Sequence, residues 1–183
     1  MNKLSTRTRA LTGAAVAAVL AAGAFGVVSA ANADSQPGTA SVASASGENT
    51  TQSTHLTVEA ATVAAQAAMD AAAAEGQRVS VAVVDRNGNT IVTLRGDGAG
   101  PQSPESAVKK AYTAVAWNAP TSELVERLEQ APNLKDIPGT LFLGGGAPIT
   151  SEDAPIAGIG VAGAPSGDLD EEFAQAGAAA LEK

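Results

Sequence analysis

The feature that most constrains the fold is the stretch Val79 to Arg95, read as VSVAVVDRNGNTIVTLR. Val79 to Asp85 is a β-branched run, Asn87-Gly88 tolerates the positive φ of a tight turn, and Thr90 to Arg95 returns. That is a hairpin signal, and a hairpin commits the chain to an antiparallel sheet with local pairing. The rest of the chain must cover that sheet. Before it, Thr57 fits a helix N-cap, with Glu59 in the first turn, an Ala-rich helix to about Glu75 and Gly76 as terminator. After it comes a glycine-rich loop, Gly96 to Pro104, which ends in the Ser103-Pro104-Glu105 helix start. A helix to about Trp117 breaks before Pro120 and resumes from Thr121 to Gln130. Gly139 to Gly146 and Pro155 to Gly163 read as strands, separated by a turn at Thr150-Ser151-Glu152-Asp153. Asp168 is expected to cap a last helix to about Leu181. Consecutive strands joined by short turns give an α/β (α+β) fold with an antiparallel sheet, not a doubly wound parallel one.

The first 33 residues read as a signal peptide outside the fold. Lys3, Arg7 and Arg9 precede an apolar run from Leu11 to Val28, and Ala31-Asn32-Ala33 supplies a small-x-small cleavage pattern. Cleavage is expected after Ala33, with Ala31 as the second choice. The competing reading is a membrane anchor, since the run approaches the length of a bilayer span. No cysteine follows it, which excludes a lipid attached there. Residues 34–54, rich in Ser, Thr, Ala and Gly, read as a disordered linker. The folded domain is expected over 55–183, and the protein is expected to be secreted.

Loss of the leader sharpens the charge. Eight of the 11 basic residues would remain against all 19 acidic ones, giving −11. Such a surface repels phosphate backbones, so nucleic acid is excluded as a partner. With no cysteine there are no disulfides and no thiolate chemistry. Aromatics make up only 3% of the chain. Small side chains bury little area each, so close helix–sheet packing or subunit contacts must compensate, and a homo-oligomer is expected.

Several motifs carry less chemistry than their spelling suggests. Gly158-Ile159-Gly160-Val161-Ala162-Gly163 spells a dinucleotide fingerprint, but its glycines fall within a strand rather than at a strand-to-helix turn. Alternate strand glycines instead let a helix or another chain approach closely. Gly144-Gly145-Gly146 lacks the Lys and hydroxyl of a phosphate loop and reads as a bulge or ligand-facing turn. His55 is the sole histidine, at the start of the first helix, so no histidine cluster can hold a metal. Asp170, Glu171 and Glu172, like Glu123 and Glu126, read as solvated helix faces that at most hold a cation weakly.

The helix from Glu105 to Trp117 says most. Ala107, Ala111, Ala114, Val108 and Val115 share its core face. Ser106, Lys110, Thr113 and Trp117 share a second stripe, with Lys109 and Tyr112 beside it. A cation, a hydroxyl and an indole on one stripe suit an acidic ligand with a flat ring system. They equally suit a snorkelling Lys at a subunit contact.

Taken together, the chain resembles the GlcG/HbpS family. The matching stretches are LTVEAA (Leu56 to Ala61), VSVAVVDRNGN (Val79 to Asn89), KKAYTA (Lys109 to Ala114), PTSEL (Pro120 to Leu124), GGGAPI (Gly144 to Ile149) and GIGVAGAPSGDLDEEFAQAG (Gly158 to Gly177). The resemblance implies a profilin-like, five-stranded antiparallel sheet flanked by helices and assembled into oligomers. The signal and composition are nearest the exported actinobacterial HbpS branch. That likeness implies haem as cofactor and an accessory sensing role beside a membrane histidine kinase. It also implies Thr113 against the haem as a weak axial iron ligand; on the stripe, Lys110 is expected to pair a propionate, with Lys109, Tyr112 and Trp117 around the cofactor. Hydroxyl ligation suits a sensor or transient carrier better than electron transfer. Relatives of the same fold also handle corrinoids, so a corrinoid-linked or small-organic-acid-binding domain or enzyme is the alternative. One outlying histidine and no cysteine leave it few acid–base groups.

Overall fold

The computed structural model describes residues 43–182, so the expected signal peptide and the first part of the linker lie outside the described residues. Residues 43–55 are exposed, with one 3-10 turn at Gly47–Asn49. The domain then runs α1 (Val58–Ala74), β1 (Ser80–Asp85), β2 (Thr90–Arg95), α2 (Ser103–Trp117), α3 (Thr121–Arg127), a 3-10 turn at Pro132–Asp136, β3 (Gly146–Ser151), β4 (Ala154–Ala162) and α4 (Gly167–Ala179).

The sheet is fully antiparallel, in the order β2-β1-β4-β3. Its strand residues alternate between two helical layers. Val81, Val83, Ile159 and Val161 face α1 and α4, where they meet Ala61, Ala64, Ala65, Ala68, Phe173 and Ala174. Ala82, Val84 and Ala162 face α2, against Ala107, Ala111 and Val115. Thr57 caps α1 by accepting from the Ala60 N–H at 3.1 Å. Gly76 takes a φ of +68° just beyond the helix end.

Among the described residues the sheet has four strands rather than the five expected. The segment 139–145, expected as a strand, is a loop. Its backbone groups are taken by side chains of the helices: the Leu141 N–H donates to Thr113 Oγ1 at 2.8 Å and the Gly145 N–H to Glu171 Oε2 at 3.1 Å. Strand pairing begins only at Gly146, opposite Gly160. The expected turn after it tightens to Glu152-Asp153, both with positive φ (51° and 63°), the geometry of a two-residue hairpin loop. The last helix is capped by Ser166, which accepts from the Leu169 N–H, and not by Asp168.

The glycines of the dinucleotide-like pattern are explained by packing. A Cβ on Gly158 or Gly160 would land on the carbonyl oxygens of Ala111 and Ala107. Helix α2 therefore rests on β4 backbone to backbone, which fixes where its polar residues point.

Candidate functional site

Helix α2 starts where Ser103 is pinned from two sides. Its hydroxyl lies 2.8 Å from Ser80 Oγ and 2.7 Å from the Gly100 carbonyl. It ends at Asn118, whose left-handed φ of 49° closes the last turn. Between these ends, the residues singled out in the sequence divide into two groups.

Lys110 and Thr113 turn away from solvent and Trp117 is half-buried, with the loop 139–145 against Thr113 and Trp117 and Asp170 of α4 against Lys110. Lys110 is buried and donates to Asp170 Oδ2 at 2.8 Å and to the Val161 carbonyl at 3.0 Å. Thr113 is fully buried; its hydroxyl donates to the Lys109 carbonyl at 2.7 Å and accepts from the Leu141 N–H. Trp117 meets Phe142 edge to face, with ring centres 5.3 Å apart.

Lys109 and Tyr112 face a cavity of about 480 Å³, walled also by Val108, Glu105, Gly88, Pro138 and Gly139. Tyr112 is held by its two ring edges. Gly88 lies against one, so closely that a Cβ there would come within 2.9 Å of Cε2, and Gly139 lies beside the other. Lys109 bridges to Glu105 at 2.6 Å across one helical turn. That hydrogen bond and the ammonium charge hold the Glu105 carboxyl below its ordinary range.

Asp170 and Glu171, read in the sequence as a solvated face, are buried, whereas Glu172 is exposed. Asp170 pairs with Lys110 and accepts from the Ala164 N–H at 2.9 Å. Glu171 accepts from the hydroxyls of Thr121 and Ser122 and from the amides of Ser122 and Gly145. The available signal was their place beside Phe173, Ala174 and Gly177 on the buried face of α4. Among the described residues no three His, Cys, Asp or Glu side chains gather to hold a metal ion.

An apolar recess beside one helix of a three-layer α+β domain, with a cation and a phenol on its wall, has the make-up of a small-ligand site. Residues 56–179 match the family model described as "Haem degrading protein HbpS-like", and the chain belongs to that family. The crystal structure of a double mutant of Streptomyces reticuli HbpS is 72% identical, with a TM-score of 0.77, and covers 79% of this chain and 99% of its own. The crystal structure of a PduOC–haem complex is 30% identical, with a TM-score of 0.64, over 69% of this chain and 95% of that one. The corrinoid adenosyltransferase PduO of Citrobacter freundii is 32% identical over 108 residues, which are 56% of this chain. The chain spans only about a third (32%) of that enzyme's length.

Proposed function

We propose that this is an exported haem-binding protein that handles or senses haem, acting beside a membrane sensor kinase. The observation that carries the reading is the cavity against α2, because its composition fits an amphiphilic, dianionic tetrapyrrole. Val108, Pro138 and the Tyr112 ring offer apolar wall, Lys109 offers a cation for a propionate, and about 480 Å³ is within the usual range for a cofactor site. Lys109 is 40% exposed, so leaving Glu105 for a propionate costs little. Bound haem would supply redox and oxygen chemistry at iron; this chain's residues bind, orient and shield it. Lys110 could take part only by leaving Asp170, and Thr113 could reach iron only if the groups that bury it moved aside. The haem complex of the 30% identical PduOC supports the reading.

Export is inferred from the leader, and the kinase partnership from the family resemblance. Saturable growth of a Soret band on adding haemin to the protein, ending near one haem per chain, is the expected result. No saturable band would overturn the proposal.

A second reading follows from the 32% identity to a corrinoid adenosyltransferase. The same cavity would then take a corrinoid or a small carboxylate. Thermal stabilisation by one of these, with none by haem, would select it.

A further inference from the structure

We propose that Asp85, at the end of β1, is a positioning residue for the ligand cavity, holding the β1–β2 turn against the Tyr112 ring. Its effect on the ligand rests on the haem reading above. Asp85 acts through the turn and is not itself part of the cavity wall. Its Oδ1 accepts from the N–H groups of Asn87 and Asn89, each at 2.8 Å, and its Oδ2 from the Asn89 side-chain amide at 3.1 Å. The backbone closes the same turn, with the Gly88 N–H donating to the Asp85 carbonyl at 3.0 Å. One end is tied to the sheet, where the Arg86 N–H donates to the Ile156 carbonyl at 3.1 Å. Arg86, Asn87 and Asn89 are exposed, so side-chain packing does little to hold the turn. The carboxylate gathers its amides instead.

What the turn carries is Gly88. Its φ of +89° and its missing side chain let the backbone lie against Tyr112, where a Cβ would come within 2.9 Å of Cε2. Gly139 stands at the other ring edge, where a Cβ would lie 3.7 Å from Cε1. All three residues wall the cavity. A turn that leaves its place therefore frees the ring and alters the wall. A site that is in place only part of the time binds with its affinity reduced by that fraction.

Charge alone predicts the opposite sign. Removing a carboxylate from the neighbourhood of a dianionic ligand strengthens binding, whereas loss of the positioning weakens it.

The test compares the full chain with Asp85→Ala, Asp85→Asn and Gly88→Ala. Tyr112 is the single tyrosine, so its ring NMR signals report the wall directly in the haem-free protein. Haemin titration reports the ligand. Asn keeps an oxygen for both N–H donors, so Asp85→Asn should retain the native ring signals and bind haem as the native chain does. Asp85→Ala should show faster ring rotation and haem affinity down about tenfold, the loss for a turn in place about a tenth of the time. Gly88→Ala leaves Asp85 intact and presses a methyl on Cε2, so it should shift the ring signals and weaken haem. It decides the matter where Asp85→Ala fails to fold.

Native ring signals and native haem affinity in Asp85→Ala overturn the proposal even if its unfolding midpoint falls, because a merely structural role predicts that result. Tighter haem binding in both Asp85 variants overturns it in favour of plain charge, and an Asn variant as weak as the Ala one overturns the geometric account. Absence of saturable haem binding by the native chain overturns the haem reading, and the ring signals then decide alone whether Asp85 positions the wall.

Discussion

The ammonium of Lys110 in α2 lies 2.8 Å from the carboxylate of Asp170 in α4, sixty residues further on, with both side chains 5% exposed. The two helices cover opposite faces of the sheet, and this pair joins them past its edge. The Val161 carbonyl and the Ala164 N–H take further bonds, so each charge is met by more than its partner. Removing one partner strands the other. Asp170→Ala should destabilise the fold by about 3–5 kcal/mol, whereas replacing both residues with apolar ones of similar volume should cost far less. Urea unfolding of the two variants checks this. Equal losses would show that packing, not the stranded charge, sets the cost.

Gly160→Ala should be as harmful through shape alone. Its Cβ would strike the Ala107 carbonyl, which belongs to a helix backbone and cannot rotate away as a side chain would. We expect about 1–3 kcal/mol or more of destabilisation, since overpacking forces the backbone to shift. A lifted α2 would also carry Lys109 and Tyr112 out of register, so haem affinity should fall with stability. Unchanged unfolding midpoint and affinity would contradict the backbone contact.

These two cases show what was legible in the sequence. The hairpin at Asn87-Gly88, the Thr57 cap and the interleaved glycines of β4 act over short spans, and each was readable. The fate of the α2 stripe was not. Lys110 and Thr113 fall on one stripe by helical period, but only the packing of 139–145 and α4 decides that they face inward. The same long-range closure turned an expected strand into a loop, because Thr113 and Glu171 satisfy its amides. Asp170 and Glu171 were misread for a related reason: acidic residues are seldom buried unless paired, and their partners lie far away in sequence.

Acid should loosen the β1–β2 turn before it loosens the core. Partial burial raises the Asp85 carboxyl's pKa, but hydrogen bonds from the Asn89 N–H, the Asn89 amide and the Asn87 N–H outweigh it. With the charge of His55 added, they hold the group below its ordinary 3.8. A depressed folded-state pKa gives stability that is complete above the unfolded value and lost as pH falls through the folded one. The loss should therefore appear from about pH 4 downward, and Asp85→Ala should remove that part of the acid dependence. Amide exchange at Asn87 and Asn89 reports it locally, and a pH profile unchanged by the substitution would refute the assignment.

We expect self-association. The core is built largely from alanine and valine, while Val58, Val63 and Leu143 are 67%, 49% and 54% exposed. Burying such residues between copies would add the apolar area that a small domain with few large side chains lacks. Like charges oppose assembly, so oligomer mass should rise with moderate salt. Light scattering at tens of micromolar protein that returns a monomer mass at every salt concentration would refute this.

The Glu105–Lys109 bridge should act as a competitor for the ligand. Lys109 is the cation on the cavity wall, and Glu105, 75% exposed, already holds it at 2.6 Å. A haem propionate must win the same ammonium from a carboxylate that the lysine keeps ionised. Glu105→Gln removes that rival and one like charge facing the propionate, yet leaves the helix start and the cavity walls in place. Haem affinity should therefore rise, by up to about fivefold given the small worth of exposed pairs. The gain should shrink at high salt, where both the bridge and the repulsion are screened. Lys109→Gln should do the reverse, weakening haem whether or not Glu105 is present. Haemin titrations of the two variants at low and high salt decide the matter. If Glu105→Gln weakens binding, Glu105 is a contact of the ligand rather than its rival.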